Sequence, residues 1–283
     1  MLDASCSRNE PIRARVAQRL NAMPAYVEKF REVFGEARGG APIDIGMFAR
    51  AIAEYEFILK GANAPIDRYA RGEAGAMTDG EKRGALLFFG KANCVACHAV
   101  GSGTNEMFSD FKMHNIGVPQ IAPVFGVGTG NRIFDGPGED KDYGLEQVTG
   151  LVSDRYRFPI SPLRNVALQP AFFHNGAFTT LEDAIRHHLD VQASLRNYDA
   201  RRAGVASDLA RMAPIARVRA SIDPLLRKPL RLDDREFADL VRFVRNGLLD
   251  PGMLPALACT HVPESLPSGM PVAKFESCAT RTP

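Results

Sequence analysis

The chain has 283 residues, a length that suits one large domain or two modest ones, with 45% hydrophobic and 24% charged residues. Those fractions belong to a globular protein and exclude a disordered chain, a collagen or a simple coiled coil. Lys+Arg exceeds Asp+Glu by 35 − 33 = 2 with no long basic run, so nothing directs the chain to nucleic acid, and no stretch reaches the ~18 apolar residues of a membrane span.

Periodic apolar residues predict helices over Arg13 to Leu20 and Ala25 to Phe34, the second ending at Gly35. Asp44 is the expected cap of a longer helix in which Ile45, Phe48, Ile52, Tyr55 and Leu59 fall at helical spacing, followed by Gly61. The turn-rich segment from Gly61 to Met77 is the best boundary. Thr78 or Asp79 caps the next expected helix, through Glu81, Leu86, Leu87 and Phe88 to Gly90. Residues 101–176 are rich in Gly, Pro, Asn and Asp, and a stretch so long without regular structure goes with function or a packed ligand. Helices return at Leu181–Val191 and from Asp234 to Asn246. In the second, Phe237, Leu240, Val241 and Val244 share a face and Gly247 is the stop. Residues 251–283 are Pro-rich and read as an extended surface tail. The fold class is all-α with long ordered loops.

Residues 94–98 read Cys94-Val95-Ala96-Cys97-His98, the C-x-x-C-H pattern of c-type haem attachment. Two thiols add to the haem vinyl groups and the adjacent His offers an axial nitrogen. A buried Cys pair with a bystander His is the bland alternative. Structural zinc needs four ligands, usually in two separated pairs, and no second C-x-x-C exists. The helix before the motif and the late amphipathic helix can cross beside a haem, as in a class I cytochrome c domain.

The sequence resembles the bacterial di-haem cytochrome c peroxidases, including the MauG-like branch. The resemblance is carried by Pro65-Ile66-Asp67-Arg68-Tyr69, Glu81-Lys82-Arg83-Gly84 and Cys94–His98. It continues through Phe108-Ser109-Asp110-Phe111, His114-Asn115-Ile116-Gly117-Val118-Pro119 and Val148-Thr149-Gly150. Leu163-Arg164-Asn165-Val166-Ala167-Leu168, Phe173-His174-Asn175-Gly176-Ala177-Phe178 and Thr180–Ala184 complete it. It implies an all-α haem protein. Residues 1–74 would be the remnant of a first, peroxidatic helical domain, 75–250 a cytochrome c-like haem domain, and 251–283 a Pro-rich tail. The implied activity is an oxidoreductase reducing hydrogen peroxide in the periplasm, with electrons from a small cytochrome or cupredoxin. The alternatives are a non-enzymatic mono-haem electron-transfer cytochrome and a MauG-like protein oxidase. A homodimer is implied because many relatives dimerise.

The family carries two C-x-x-C-H motifs and this chain has one. The other haem segment and the export signal are therefore expected upstream of Met1, through truncation or a late start. The family's first pocket uses a Glu as peroxide acid/base. Glu10 lies near where that segment would end, and its alternative is a solvated Glu at a helix start.

In the family the iron's second axial ligand falls fourteen residues after the His of the His-x-Gly motif, as Met or Tyr. From His174 that count reaches His188 (188 − 174 = 14). Helical geometry supports His188 separately, since Leu181, Ala184, Ile185, Leu189 and Val191 form an apolar arc with His188 near its centre. An imidazole there needs a partner. Iron with His98 on its other face is the first reading, and a hydrogen-bonded core His is the second. His187 sits at the edge of the arc, four residues after Asp183, where a surface ion pair or a ligand role is the expectation.

By the same resemblance His174 and Arg164 are cofactor-binding. His174 would stand beside a propionate or between haems, or else be satisfied by loop backbone. Arg164 would offer its fork to a propionate, or else form a structural ion pair. His114-Asn115 would order the long loop over the haem edge, or simply pack it. Calcium between domains would use the carbonyls of Gln169-Pro170-Ala171, though these residues depart from the usual ones. Cys259 and Cys278 would pair in an oxidising compartment or remain two free thiols. His261 reads as solvated.

Overall fold

A computed structural model describes residues 10–59, 61–101, 106–121 and 142–278, and Cys6 lies outside them. Among the described residues the chain is helix-rich, with two strands of two residues each. It divides into two compact units, Met1–Gly61 with Gly252–Pro283, and Ala62–Pro251.

In the first unit, α1 (Glu10–Asn21) starts earlier than its apolar pattern, and α2 (Pro24–Val33) opens on Pro24, where a missing N–H costs nothing. After α3 (Gly35–Arg38), Asp44 caps α4 (Ile45–Ile58) as expected, its carboxylate accepting the Met47 amide at 2.7 Å. Phe30, Ala37, Ile43 and Met47 form the small core. Asn21 ties its edge by donating to the Ile43 carbonyl at 2.7 Å and accepting the Ile43 amide at 2.9 Å.

The tail is not wholly extended. Pro255 starts a short helix to Ala258, and single 3-10 turns follow at Cys259–His261 and Glu276–Cys278. Local i to i+3 bonds satisfy the backbone there, which a Pro count does not reveal. Cys259 and Cys278 form a disulfide with their Cα atoms 5.5 Å apart.

The second unit begins with α5 (Pro65–Ala70) and α6 (Asp79–Phe89). Thr78, rather than Asp79, caps α6. Its hydroxyl accepts the Glu81 amide at 3.3 Å while Glu81 accepts the Thr78 amide at 2.6 Å. In the long loop region β1 (Met113–His114) pairs antiparallel with β2 (Phe158–Pro159), and α7 (Glu146–Thr149) lies between them in sequence. The helix expected over Leu181–Val191 is two. α8 (Leu181–Leu189) stops at Asp190, whose carboxylate accepts the Ala193 amide at 2.9 Å and so starts α9 (Val191–Asn197). α10 is Ala216–Ala220.

The last long helix also differs from its expected span. α11 (Asp234–Arg242), capped by Asp233 and Glu236 acting reciprocally, widens at Phe243 into a π turn that runs to Gly247. The wide turn points the Phe243 ring fully inward. A Cβ on Gly247 would meet that ring at 2.7 Å, so the glycine is required inside the turn rather than after it. Phe88, Phe108, Phe178, Leu240, Phe243 and Leu248 anchor the main core.

Candidate functional site

Every sequence-predicted site residue except Glu10 lies in the second unit. Glu10 is exposed at the start of α1, its carboxylate 3.9 Å from Arg13.

The C-x-x-C-H segment follows α6 through a tight reversal. Asn93 adopts the left-handed region at φ 52°, which Asn tolerates, and Cys94–Ala96 form one 3-10 turn. The His98 amide donates to the Cys94 carbonyl at 2.9 Å, so both thiols and the imidazole emerge from one turn of chain. Burial pushes the Cys94 thiol up to about 12 and the Cys97 thiol to about 11. They are neutral thiols at pH 7, not thiolates poised as nucleophiles.

His98 donates its Nδ1–H to the Phe108 carbonyl at 2.9 Å, because a carbonyl only accepts. His188 likewise donates Nδ1–H to the Ala184 carbonyl at 2.8 Å, one turn back on α8. Each ring therefore keeps its lone pair on Nε2. Burial, with the neighbouring His188, pushes His98 down to about 4, and burial pushes His188 down as well. Both are neutral at pH 7, the form that ligates metal. Their ring centroids lie 6.4 Å apart at 62°. The two rings are thus neighbours, and each has an Nε2 left free of protein partners that could hold an iron ion. No cluster of three or more His, Cys, Asp or Glu suited to a metal occurs among the described residues. The donor set thus suits an ion with four ligands from elsewhere, as in a porphyrin, and lacks the four side chains of structural zinc.

His187 is not at a surface edge. It is fully buried, donating Nε2–H to the Ile116 carbonyl at 2.9 Å and accepting the Ser194 hydroxyl on Nδ1 at 2.9 Å. Asp183 pairs with Thr180 instead, at 2.7 Å. The loop at Ile116 and helix α9 cover this side of α8, so the apolar arc is wider than the sequence indicates. With both nitrogens bonded to protein, His187 has no lone pair for a metal.

Arg164 is likewise committed elsewhere. Its fork holds Asp67 through two bonds of 2.7 Å, with both side chains buried, and its Nε donates to the Glu106 carbonyl at 2.9 Å. Asp67 also accepts the Ala64 amide at 2.9 Å, so the pair staples α5 to the loop after β2. Of the two expected roles, propionate contact and structural ion pair, the fork of Arg164 is occupied by the second.

His174 stacks on Phe158, ring centroids 3.4 Å apart at 8°, and is exposed. The surrounding protein pushes it down to about 4 against the pull of Asp142. Phe173 stands closer to the His188 ring, with centroids 5.4 Å apart. His114 bridges Asp223 at 2.8 Å and Asp110 at 3.1 Å, which ties the loop at β1 to the segment before α11. Burial raises the Asp223 carboxyl, but hydrogen bonds from His114 and the Leu225 amide outweigh it and leave the group below its ordinary value. The sequence reading gives no role to Ser109 or to the Phe108 carbonyl. Eleven residues after His98, in Phe108-Ser109-Asp110-Phe111, nothing about the Ser itself announces a contact with the haem motif until the chain is folded.

A family profile described as di-haem cytochrome c peroxidase matches residues 4–75. Cytochrome-c peroxidase IdrP1 of Pseudomonas sp. (strain SCT) is 33% identical over 181 residues, covering 59% of this chain and 45% of that protein. Methylamine utilization protein MauG of Methylorubrum extorquens is 30% identical over 174 residues, covering 62% of this chain and 42% of that protein. The chain therefore spans under half the length of these curated relatives. A solved MauG-like protein associated with microbial copper homeostasis matches with a TM-score of 0.47 and 27% identity, over 68% of this chain and 53% of that one. By its family profile and its curated matches, the chain is similar to the di-haem cytochrome c peroxidases and MauG.

Proposed function

We propose that the chain would bind one haem c covalently through Cys94 and Cys97, with the Nε2 atoms of His98 and His188 holding its iron. It serves as the electron-transfer part of a di-haem cytochrome c peroxidase-like oxidoreductase that reduces hydrogen peroxide. The carrying observation is the C-x-x-C-H turn beside a second neutral imidazole, the two ring centroids 6.4 Å apart and both rings anchored through Nδ1. The haem, when bound, supplies a one-electron carrier. The protein's part is to hold both imidazoles in the Nε2-free tautomer, to keep them neutral by burial, and to line the site with Phe88 and Phe173. His188 where relatives have Met or Tyr favours the ferric state relative to His/Met.

The domain reading belongs to the same proposal: 1–74 as part of a peroxidatic domain, 75–250 as a cytochrome c-like haem domain, 251–283 as a tail. So do a periplasmic location, a small cytochrome or cupredoxin donor, and calcium at the carbonyls of residues 169–171. The Cys259–Cys278 disulfide supports an oxidising compartment. No helix among the described residues is long and apolar enough to cross a membrane.

Expression with a c-type haem maturation system tests this reading. The expected product carries one covalent haem with a low-spin ferric spectrum that His188→Ala turns high-spin. A chain that matures without haem, or a variant that stays low-spin, overturns it. With a single C-x-x-C-H the chain alone is expected to turn over peroxide slowly. Robust turnover with a reduced donor would mean that the one iron has an open face.

A further inference from the structure

The turn from Phe108 to Phe111 holds two non-glycine residues in the left-handed region, Phe108 at φ 58° and Phe111 at φ 55°. Such residues are costly and persist only where their surroundings over-determine them. Ser109, between them, supplies that constraint. It is fully buried, its hydroxyl donating to the Ile160 carbonyl at 2.6 Å and accepting the Phe111 amide at 2.9 Å. Its own amide donates to the Ala99 carbonyl at 3.0 Å, and the next amide, of Asp110, donates to the Cys97 carbonyl at 2.8 Å. The turn is thus stitched to the chain on both sides of His98, and it delivers the Phe108 carbonyl to the His98 Nδ1–H.

We infer that Ser109 is a positioning residue. By locking the strained turn it fixes the Phe108 carbonyl on His98 and so sets the ferric–ferrous balance of iron bound at Nε2. A firm Nδ1–H···O=C bond raises the basicity of the imidazole, and a more basic ligand stabilises the ferric state. A serine serving only to fill space would make neither hydroxyl bond. The inference rests on the haem assignment above, and covalent haem with a low-spin spectrum in the wild type establishes that assignment first.

The test is a redox titration of the holoprotein carrying Ser109→Ala, beside Ser109→Thr, which keeps the hydroxyl, and Val218→Ala, which opens an unrelated buried site. Ser109→Ala is expected to raise the ferrous-to-ferric ratio at a fixed ambient potential by roughly fivefold. The other two leave the ratio at the wild-type value. An unchanged ratio in a haem-loaded Ser109→Ala protein overturns the inference, as does an equal rise in Val218→Ala. Hydrogen exchange in the ferrous wild type needs no variant to fold. One clamp holds both groups, so the His98 Nδ1–H and the Phe111 amide are expected to open together. Exchange of the ring proton at a much faster rate than that amide also overturns it.

Discussion

The backbone of Gly84 on α6 lies directly against Asp239 on α11, where a Cβ would sit 2.6 Å from the Cβ of Phe243 and closer still to the Asp239 carbonyl oxygen. Arg83 and Arg242 then close on the Asp239 carboxylate, with bonds from Arg83 of 2.6 and 3.2 Å and from Arg242 of 2.6 Å. The crossing of the two helices is set by backbone contact, not by interlocked large side chains. Gly84→Ala is therefore expected to cost about 3 kcal/mol or more, since neither backbone can retreat without parting the helices. Calorimetry on the holoprotein checks this against Gly75→Ala, whose added Cβ meets nothing within 4 Å. Equal melting temperatures for the two variants would contradict the crossing.

Asp67 and Arg164 stand 97 residues apart in sequence and are nearly out of solvent, their side chains 8% and 4% exposed. Removing one partner strands a buried charge, so Asp67→Asn is expected to lose about 3–5 kcal/mol in urea unfolding. Replacing both with apolar residues is expected to recover much of that loss, because the desolvation penalty disappears with the charges. A loss under about 1 kcal/mol for Asp67→Asn would show that the pair is solvated.

These two contacts mark where sequence reading stops. Asp44 and Thr78 were legible as caps because a cap is a local bargain between a side-chain oxygen and an amide three residues on. The C-x-x-C-H turn was legible for the same reason. His188 was singled out by periodicity and by family spacing together. His187 is buried where its spacing from Asp183 predicts a surface edge, because Ile116 and Ser194 approach it from other segments. Arg164 leaves a propionate contact and an ion pair both open in the sequence, because nothing near it announces Asp67. Gly247 was read as a stop, since a π turn differs from a helix end only in how Phe243 packs.

The disulfide closes a separation of 19 residues, a loop length for which cross-linking adds about 3 kcal/mol to stability. Cys278→Ser is expected to lose most of that, and peptide mapping under non-reducing conditions should recover Cys259 and Cys278 in one linked fragment. Two separate free-thiol peptides would rule the bond out.

Burial pushes His187 down to about 3, while an unfolded chain protonates its histidines near 6.5. Between those values the unfolded state binds more protons than the folded one, so stability rises with pH. The contribution is complete above about pH 6.5 and is lost progressively as the pH falls towards about 3. Lowering the pH from 7 to 5 is expected to cost the wild type about 2 kcal/mol more than His187→Gln, whose amide has no proton to take up. Parallel urea midpoints at the two pH values check the difference, and identical pH slopes would place His187 in contact with water.

His188→Met separates a ligand from a bystander. Met in its place would carry a thioether with no Nδ1–H, so the bond to the Ala184 carbonyl is lost along with the imidazole. If His188 is the second axial ligand, the haem stays low-spin and its potential rises, because a thioether favours the ferrous state more than a nitrogen does. His187→Met provides the contrast. It empties the bonds to Ile116 and Ser194 and lowers stability, but it leaves the axial pair intact and the potential near the wild-type value. Equal shifts in the two variants would mean that both act through packing of α8, and would remove His188 from the iron.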